Sequence, residues 1–254
     1  PNGASIVDTG ANIAGLTAGA IAAFTNVTTI DATDNAIALS VAQELAADAK
    51  LVAADVITVA DTGANIATMT AAQLGSALID AIDATDNAIT LTVAQELAAD
   101  AKLVNGETTV GDTGTAIAAM TAVQLASAKI AAFNATNDVL TVTAAQAAAI
   151  TNAKLAAGDL VTLADSSANL AVAGVAVAAA GFANVDLVDA TDNVLTINVA
   201  SANAITNAKL TAADVVTLAD TNANLAAAGV AVAAASFANV DFVDATDNAL
   251  TINV

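Results

Sequence analysis

The segment Val41–Val52 reads VAQELAADAKLV, and the same residues recur at Val93–Val104, 52 positions further along the chain. The super-repeat that these copies define is 51–55 residues long and covers nearly all of the 254 residues. Repetition at a fixed period is typical of proteins built from stacked structural units. Shorter copies mark the same period: TNAKL begins at Thr151 and Thr206, and DATDN begins at Asp31, Asp83, Asp189 and Asp244, with the variant NATND at Asn134.

Each super-repeat contains two similar halves. A shift of 22 residues lays Asp61–Asn65 on Asp83–Asn87, so the elementary repeat has 22–31 residues and the chain holds ten of them. Two repeat types alternate. Type A repeats begin at Asp8, Asp61, Asp112, Asp165 and Asp220, and type B repeats begin at Asp31, Asp83, Asn134, Asp189 and Asp244.

A second polar column follows four residues after the first. Asparagine occupies this position in eight of the ten repeats, and Ala116 and Asp138 are the exceptions. The eight are Asn12, Asn35, Asn65, Asn87, Asn169, Asn193, Asn224 and Asn248.

The residues around these columns predict strands, turns and short helices. Runs rich in β-branched residues, such as Val56–Val59 and 216–218, predict strands before the columns, and Ala88–Leu91 predicts a second extended piece after them. Each lysine follows Asp, Asn or Ser and Ala near an expected helix end, where a cation complements the helix dipole. Five capping boxes predict helix starts: Ser40 with Gln43, Thr70 with Gln73, Thr92 with Gln95, Thr121 with Gln124, and Thr143 with Gln146.

A strand, a turn and a short helix in every repeat predict an α/β solenoid. We expect residues 1–254 to form a single domain of about ten strand–turn–helix coils, with parallel strands stacked on one side and helices on the other. The chain ends at Val254, where the next helix would begin, so we also expect a piece of a longer protein.

The best-formed repeats resemble leucine-rich repeats. Val185, Val188, Ala190, Asn193 and Leu195 follow the pattern LxxLxLxxNxL of that family, and so do Ile79, Ile82, Ala84, Asn87 and Ile89. The third leucine place always holds Ala, Thr or Ser, and the repeat lengths alternate, which departs from the family. The resemblance implies that the asparagine column is a buried ladder whose amides bond the backbone of adjacent coils.

Composition and charge exclude several classes of function. The net charge is −20, which disfavours binding to nucleic acid or to an anionic membrane. Three long uncharged runs, Thr9–Ile30, Ser166–Val185 and Thr221–Val240, are interpreted as alanine-rich parts of the repeat and not as membrane insertions.

The chain has no histidine and no cysteine, so most catalytic schemes lack a base or nucleophile, and we expect no enzyme. Asp-Thr-Gly at Asp8, Asp61 and Asp112 is interpreted as a turn, although the tripeptide also occurs in aspartic proteases.

The aspartate column is the candidate functional site. Alternation along the strand predicts that it points outward, and parallel strands would bring successive carboxylates to ~4.8 Å. Such a row would gain from bound Ca²⁺, although turn formation with loosely held sodium remains the competing interpretation. No other cofactor is expected. The candidate Ca²⁺ ligands are Asp31, Asp34, Asp61, Asp83, Asp86, Asp189, Asp192, Asp220, Asp244 and Asp247.

The tandem Ala-, Asp- and Thr-rich repeats of the whole chain are similar to those of very large secreted surface proteins of Gram-negative bacteria. The similarity implies an extracellular or cell-surface structural protein, such as an adhesin, a surface-layer protein or a filament, that self-associates into a fibre or lattice, with or without calcium. Two alternatives remain open: a calcium-binding spacer of a large adhesin, and an ice- or crystal-binding solenoid.

Overall fold

A computed structural model describes residues 3–150, 154–171, 184–205, 209–233 and 239–248 of the chain. These residues form short parallel strands that alternate with short helices, which confirms the predicted α/β class. The strands are β1 (Ala4–Asp8), β2 (Val27–Ala32), β3 (Ala36–Leu39), β4 (Val56–Asp61), β5 (Ala81–Ala84), β6 (Ile89–Leu91), β7 (Thr108–Asp112), β8 (Ile130–Ala135), β9 (Val139–Val142), β10 (Leu160–Asp165), β11 (Leu187–Ala190), β12 (Val194–Ile197), β13 (Val215–Asp220) and β14 (Phe242–Ala245).

Most helices have only four to seven residues. Two 3₁₀ turns, Asp48–Lys50 and Asp100–Lys102, follow α3 and α6 directly. The helices are α1 (Gly10–Ala14), α2 (Ala18–Ala23), α3 (Val41–Ala47), α4 (Gly63–Ile66), α5 (Ala71–Leu74), α6 (Val93–Ala99), α7 (Gly114–Ala118), α8 (Ala122–Leu125), α9 (Ala144–Ile150), α10 (Val199–Ile205) and α11 (Asn222–Ala233).

The type A strands β4, β7, β10 and β13 are each shared between two neighbouring strands. In β4, Val56 to Val59 pair with β3, and Thr58 to Asp61 pair with β5. Both pairings are parallel. The same arrangement recurs in β9–β10–β11 and β12–β13–β14, so one strand joins the second strand of one type B repeat to the first strand of the next.

Burial follows the alternation that the sequence predicts for strands. Ile57 and Val59 of β4 are fully buried, whereas Val56 is 53% exposed. Helix residues such as Ile66 and Leu74 join Val59, Ile82 and Leu91 in one buried cluster. The core therefore consists of thin layers of Ile, Leu, Val and Ala, which explains how the chain packs with few aromatic residues.

All five predicted capping boxes are present. In four of them the Ser or Thr side chain accepts a hydrogen bond from the Gln backbone N–H, and the Gln side chain accepts from the cap N–H. Thr143 and Gln146 make the same two bonds, at 3.3 and 2.9 Å. These bonds satisfy N–H groups that helices of four to seven residues would otherwise leave free.

The chain divides into two compact units. The first comprises Pro1–Asp112 and Ser127–Phe133, and the second comprises Thr113–Ala126 and Asn134–Val254. Both contain strands of type A and type B repeats. Two of the uncharged runs fall partly on residues 172–183 and 234–238, which lie outside the described residues. Among the described helices, none combines the length and the apolar character needed to cross a bilayer.

Candidate functional site

The aspartates that the sequence places in one column lie on opposite faces of the sheet. Asp61 of β4 pairs with Ala84, and Asp83 of β5 pairs with Ala60. Paired residues of parallel strands project to the same face, and successive residues project to opposite faces. The side chains of Asp61 and Asp83 therefore project to opposite faces. The predicted row of adjacent carboxylates is not formed, because the strand register differs from the sequence alignment by one residue.

Four of the type A aspartates, Asp61, Asp112, Asp165 and Asp220, bind the backbone of the preceding repeat. Asp61 Oδ1 accepts from the Thr62 backbone N–H at 2.8 Å and from Asn65 Nδ2 at 2.7 Å. Its Oδ2 accepts from the Val41 N–H at 3.0 Å, at the first residue of α3. Asp165 and Asp220 repeat all three contacts. The carboxylate thus joins a turn to the start of a helix about 20 residues earlier.

These contacts stabilise the ionised form of Asp61, Asp165 and Asp220. Burial raises the pKa of Asp61, but the bonds from Asn65, Thr62 and Val41 outweigh burial and hold the pKa below its usual value. At Asp220 the bond from Asn224 is the largest influence, and it lowers the pKa. The carboxylate oxygens of the predicted ligands Asp61 and Asp220 therefore already accept hydrogen bonds from protein donors.

The second aspartate of the four DATDN repeats also binds backbone. Asp86 Oδ1 accepts from the Gly63 N–H at 2.9 Å, and Asp34 Oδ1 accepts from the Gly10 N–H at 2.8 Å. Asp192 and Asp247 accept from the N–H groups of Ser167 and Asn222 in the equivalent place. Each carboxylate lies at the first turn of the helix in the preceding type A repeat.

The remaining predicted ligands are the first aspartates of the type B repeats. Asp83 lies on the outward face, between the buried residues Ile82 and Ala84. Asp189 receives one contact, from the Thr211 hydroxyl at 3.3 Å. Within the described residues, the side-chain carboxylates of Asp31, Asp83 and Asp244 accept no hydrogen bond from the protein. The outward direction predicted for the column therefore holds for Asp31, Asp83, Asp189 and Asp244.

This arrangement reduces the number of carboxylate oxygens that are available to a calcium ion. Ca²⁺ takes six to eight oxygen ligands. In the described part of the chain, no three Asp, Glu, His or Cys side chains are grouped so that they could hold a metal ion. One outward carboxylate per type B repeat could supply only a fraction of a calcium shell.

The asparagine column is exposed, and the buried ladder implied by the leucine-rich resemblance is wrong for these residues. All eight asparagine side chains are exposed. In type B repeats the residue is left-handed, with φ between 53 and 58°, because it forms the tight turn between two strands. In the type A repeats that begin at Asp8, Asp61, Asp165 and Asp220, the amide donates to that aspartate at 2.7 Å. By contrast, the apolar positions of the pattern, such as Ile79 and Val185, are buried as expected.

Each residue of the Asp-Thr-Gly turn has a structural contact. Asp61 accepts the bonds described above, and the Thr62 hydroxyl caps α4 by accepting from the Asn65 N–H at 3.3 Å. A Cβ at Gly63 would lie 1.8 Å from the Ala88 carbonyl oxygen, so this position requires glycine. These contacts support the interpretation of the tripeptide as a turn.

Sequence reasoning missed a set of buried aspartates that also join repeats. Asp55 is 3% exposed, and its Oδ2 accepts from the Ala32 N–H at 3.0 Å. Asp159 and Asp214 make the same bond to Ala135 and Ala190. Their recurrence four residues after Leu51, Leu155 and Leu210, ahead of an apolar strand, was the signal that could have found them.

Glutamine and lysine side chains also reach the preceding repeat. Gln95 Nε2 donates to the carbonyl oxygens of Ala67 and Met69 at 2.9 and 2.6 Å, in addition to closing its capping box. Lys50 Nζ donates to the Ile21 and Phe24 carbonyls, at 3.0 and 3.3 Å, at the end of α2. Lys50 thus interacts with the C-terminal end of a neighbouring helix. The sequence had predicted that it would interact with the end of its own helix.

The two repeated glutamates are the most perturbed acids. Glu44 and Glu96 are each 1% exposed. Burial raises the pKa of Glu44 to about 7 and that of Glu96 to about 8. Their neighbours Asp48 and Asp100, four residues later in the chain, also contribute to these raised pKa values.

Comparison of the chain with protein-family models, with curated proteins and with solved structures returned no match.

Proposed function

We propose that this chain is a structural repeat protein of a bacterial surface or extracellular matrix, in which about ten repeats stack as one α/β solenoid. The observation that supports this proposal is the use of recurrent polar side chains as links between repeats. Asp61, Asp86 and Gln95 all bond backbone groups that lie 20–28 residues earlier in the chain.

Such links suit an extended array better than a single catalytic centre. Each repeat supplies the donors or acceptors that its neighbour lacks, so an array can grow by adding copies without a new core. The same side-chain types recur at each junction, whereas a catalytic site would need one distinctive cluster. The proposed role is therefore mechanical: the chain acts as a spacer or scaffold.

The surface properties support an extracellular setting. The net charge of −20 favours solubility and attracts cations. The resemblance of the sequence texture to large secreted proteins of Gram-negative bacteria points to the cell surface. End repeats of any such array expose strand edges, so self-association into a fibre or lattice is part of the proposal.

Calcium enters the proposal through the outward aspartates alone. Asp31, Asp83, Asp189 and Asp244 are the candidates whose oxygens are least occupied by protein donors. A calcium-binding spacer would therefore bridge carboxylates of two molecules, because one molecule offers too few ligands at each position.

Electron microscopy and sedimentation of the purified chain test the proposal. Samples with about 1 mM CaCl₂ are compared with samples in NaCl of equal ionic strength. Fibres or lattices are expected, and dispersed monomers in every salt would contradict the assembly role. A variant with Asp31→Asn, Asp83→Asn, Asp189→Asn and Asp244→Asn should lose any calcium response. An unchanged melting temperature and assembly state in calcium would contradict the metal role alone.

An ice- or crystal-binding surface is the second candidate, and the outward face supplies an observation in its favour. Threonines pair across neighbouring strands at Thr90–Thr109, Thr141–Thr162 and Thr196–Thr217. Val139 and Leu160, which precede one such pair, are 44% and 46% exposed. Thermal hysteresis of the purified chain would test this candidate, and Thr162→Lys should abolish the effect by disrupting the regular face.

A further inference from the structure

The sequence VAQELAAD places a glutamate and an aspartate four residues apart on each of two helices. Glu44 lies in the first turn of α3 and Asp48 follows its last residue, and Glu96 and Asp100 hold the same places in α6. Residues at this spacing are neighbours on one helix face. Both glutamates are fully enclosed, although charged side chains are rarely buried without a partner.

No hydrogen-bond donor in the described structure reaches the enclosed oxygens. Both carboxyl oxygens of Glu96 and Oε2 of Glu44 are buried without a donor. Asp100 and Asp48 are the carboxyl groups that interact with these glutamates, but ionised carboxylates are acceptors only. A proton held between the two carboxyl groups is the one donor that satisfies each pair.

The surroundings hold the aspartate of each pair in place. Ser127 Oγ donates to Asp100 Oδ1 at 2.5 Å, and Ser76 Oγ donates to Asp48 Oδ1 at 3.4 Å. The aspartate of each pair therefore has a serine donor, whereas the buried glutamate oxygens lack one.

Other charges face the two pairs unequally. Lys102 favours the ionised form of Glu44 and is itself close to Asp80, whereas Asp100 is the charged group that acts on Glu96. This difference accords with the higher pKa of Glu96, about 8, against about 7 for Glu44.

Two other repeats show what the same position needs for packing alone. Ala147 in α9 and Ala202 in α10 align with Glu44 and Glu96, and both are buried. The helix layer therefore packs with a small apolar residue at this place, so the carboxyl pairs serve something other than filling space.

We infer that Glu44–Asp48 and Glu96–Asp100 are proton-sharing carboxyl pairs that fasten α3 and α6 to the sheet at acidic and neutral pH and release them at alkaline pH. Loss of the shared proton leaves two adjacent buried anions, which repel each other and draw water into the helix layer.

The sign of the pH dependence follows from the raised pKa values. The folded chain holds one extra proton per pair between the ordinary pKa of glutamate, 4.5, and the folded values of about 7 and about 8. The stabilisation is complete below 4.5 and disappears as the pH rises through 7 and 8. For each pair, a rise of one pH unit in this window increases the unfolding equilibrium constant by up to about tenfold.

The test compares the wild type with Glu44→Gln/Glu96→Gln and with Glu107→Gln, which changes the remaining glutamate. Urea unfolding is followed by circular dichroism between pH 5 and pH 9. We expect the wild type and Glu107→Gln to lose stability across this range. The double variant should keep its stability, because each amide donates to its aspartate at every pH. Equal pH dependence in all three proteins would overturn the inference.

Two further measurements hold even if a variant does not fold. The wild type should show an infrared band of protonated carboxylic acid at pH 6 that disappears by pH 9, and absence of the band at pH 6 would overturn the inference. Hydrogen exchange, corrected for the intrinsic rate, should show that Val41–Ala47 and Val93–Ala99 lose protection at pH 9 while Ala144–Ile150 keeps its protection. Recovery of that protection on adding CaCl₂ at pH 9 would instead assign the pairs to a cation.

Discussion

At the scale of single residues, the Asp-Thr-Gly turn shows how each side chain is determined by its neighbours. The Gly63 N–H donates to Asp86, and its Cα lies against the backbone of the next type B repeat at Ala88. The close approach lets one carboxylate reach the first turn of α4. Glycine is needed here because of contact with the neighbouring chain segment, since the residue adopts a helical conformation.

We predict that Gly63→Ala destabilises the fold by about 1–3 kcal/mol, because the added methyl group must displace the backbone of Ala88. The matched control is Gly158→Ala, since a Cβ at that position meets no atom within 4 Å. The control should be neutral or stabilising by up to about 1 kcal/mol. Urea unfolding of both variants measures the difference, and equal stabilities would show that the backbone yields at no cost.

The sequence predicted which residues recur but not the face on which each one lies. Asp61 and Asp83 align when the chain is shifted against itself, yet the strand register differs from that alignment by one residue. Because side chains alternate with a period of two, this offset reverses the face. The exposed asparagines were mispredicted for a related reason, since Asn87 belongs to a left-handed turn and not to the buried strand.

At the scale of elements, the helices are too short to be stable alone. Helices of four to seven residues gain little from propensity, so caps and tertiary contacts must hold them. The sequence predicted the caps, because their signature is local. It could not predict that Gln95 extends its amide to Ala67 and Met69, because that contact depends on how the repeats stack.

We predict that Gln95→Ala is more destabilising than Gln73→Ala. Both substitutions remove a capping box, but only the first removes two bonds to a neighbouring repeat. At about 0.5–1.5 kcal/mol for each bond, the difference should be about 1–3 kcal/mol. Thermal unfolding by circular dichroism gives the comparison. Identical losses would mean that the bonds between repeats contribute nothing beyond the cap.

At the scale of the whole molecule, two sets of carboxyl groups respond to pH in opposite directions. Glu44 and Glu96 stabilise the fold while they are protonated, and four of the type A aspartates stabilise it while they are ionised. The pKa values of Asp8, Asp61, Asp165 and Asp220 are all lowered. The two sets together place the greatest stability near pH 4–5, which is acidic for a folded protein.

We predict that the free energy of unfolding falls as the pH drops below 3.8, the ordinary pKa of aspartate, and through the lower values of the folded state. Asp61→Asn/Asp220→Asn should be less stable than the wild type at pH 5, and its loss between pH 5 and pH 2 should be smaller. Asp83→Asn, which changes an outward residue, should retain the full loss. Denaturant titrations at each pH measure these slopes, and a variant slope equal to that of the wild type would contradict the assignment.

The division of β4 between two neighbours has a consequence for how such a chain can lengthen during evolution. A tandem duplication of 51–55 residues copies one type A and one type B repeat, so every new strand meets the partners that it had before. Duplication of a single repeat would set two Asp-Thr-Gly turns in succession, and Gly63 would face no carboxylate from a following type B repeat. Recombination can therefore extend the array only in pairs, and the gene should grow in steps of the super-repeat.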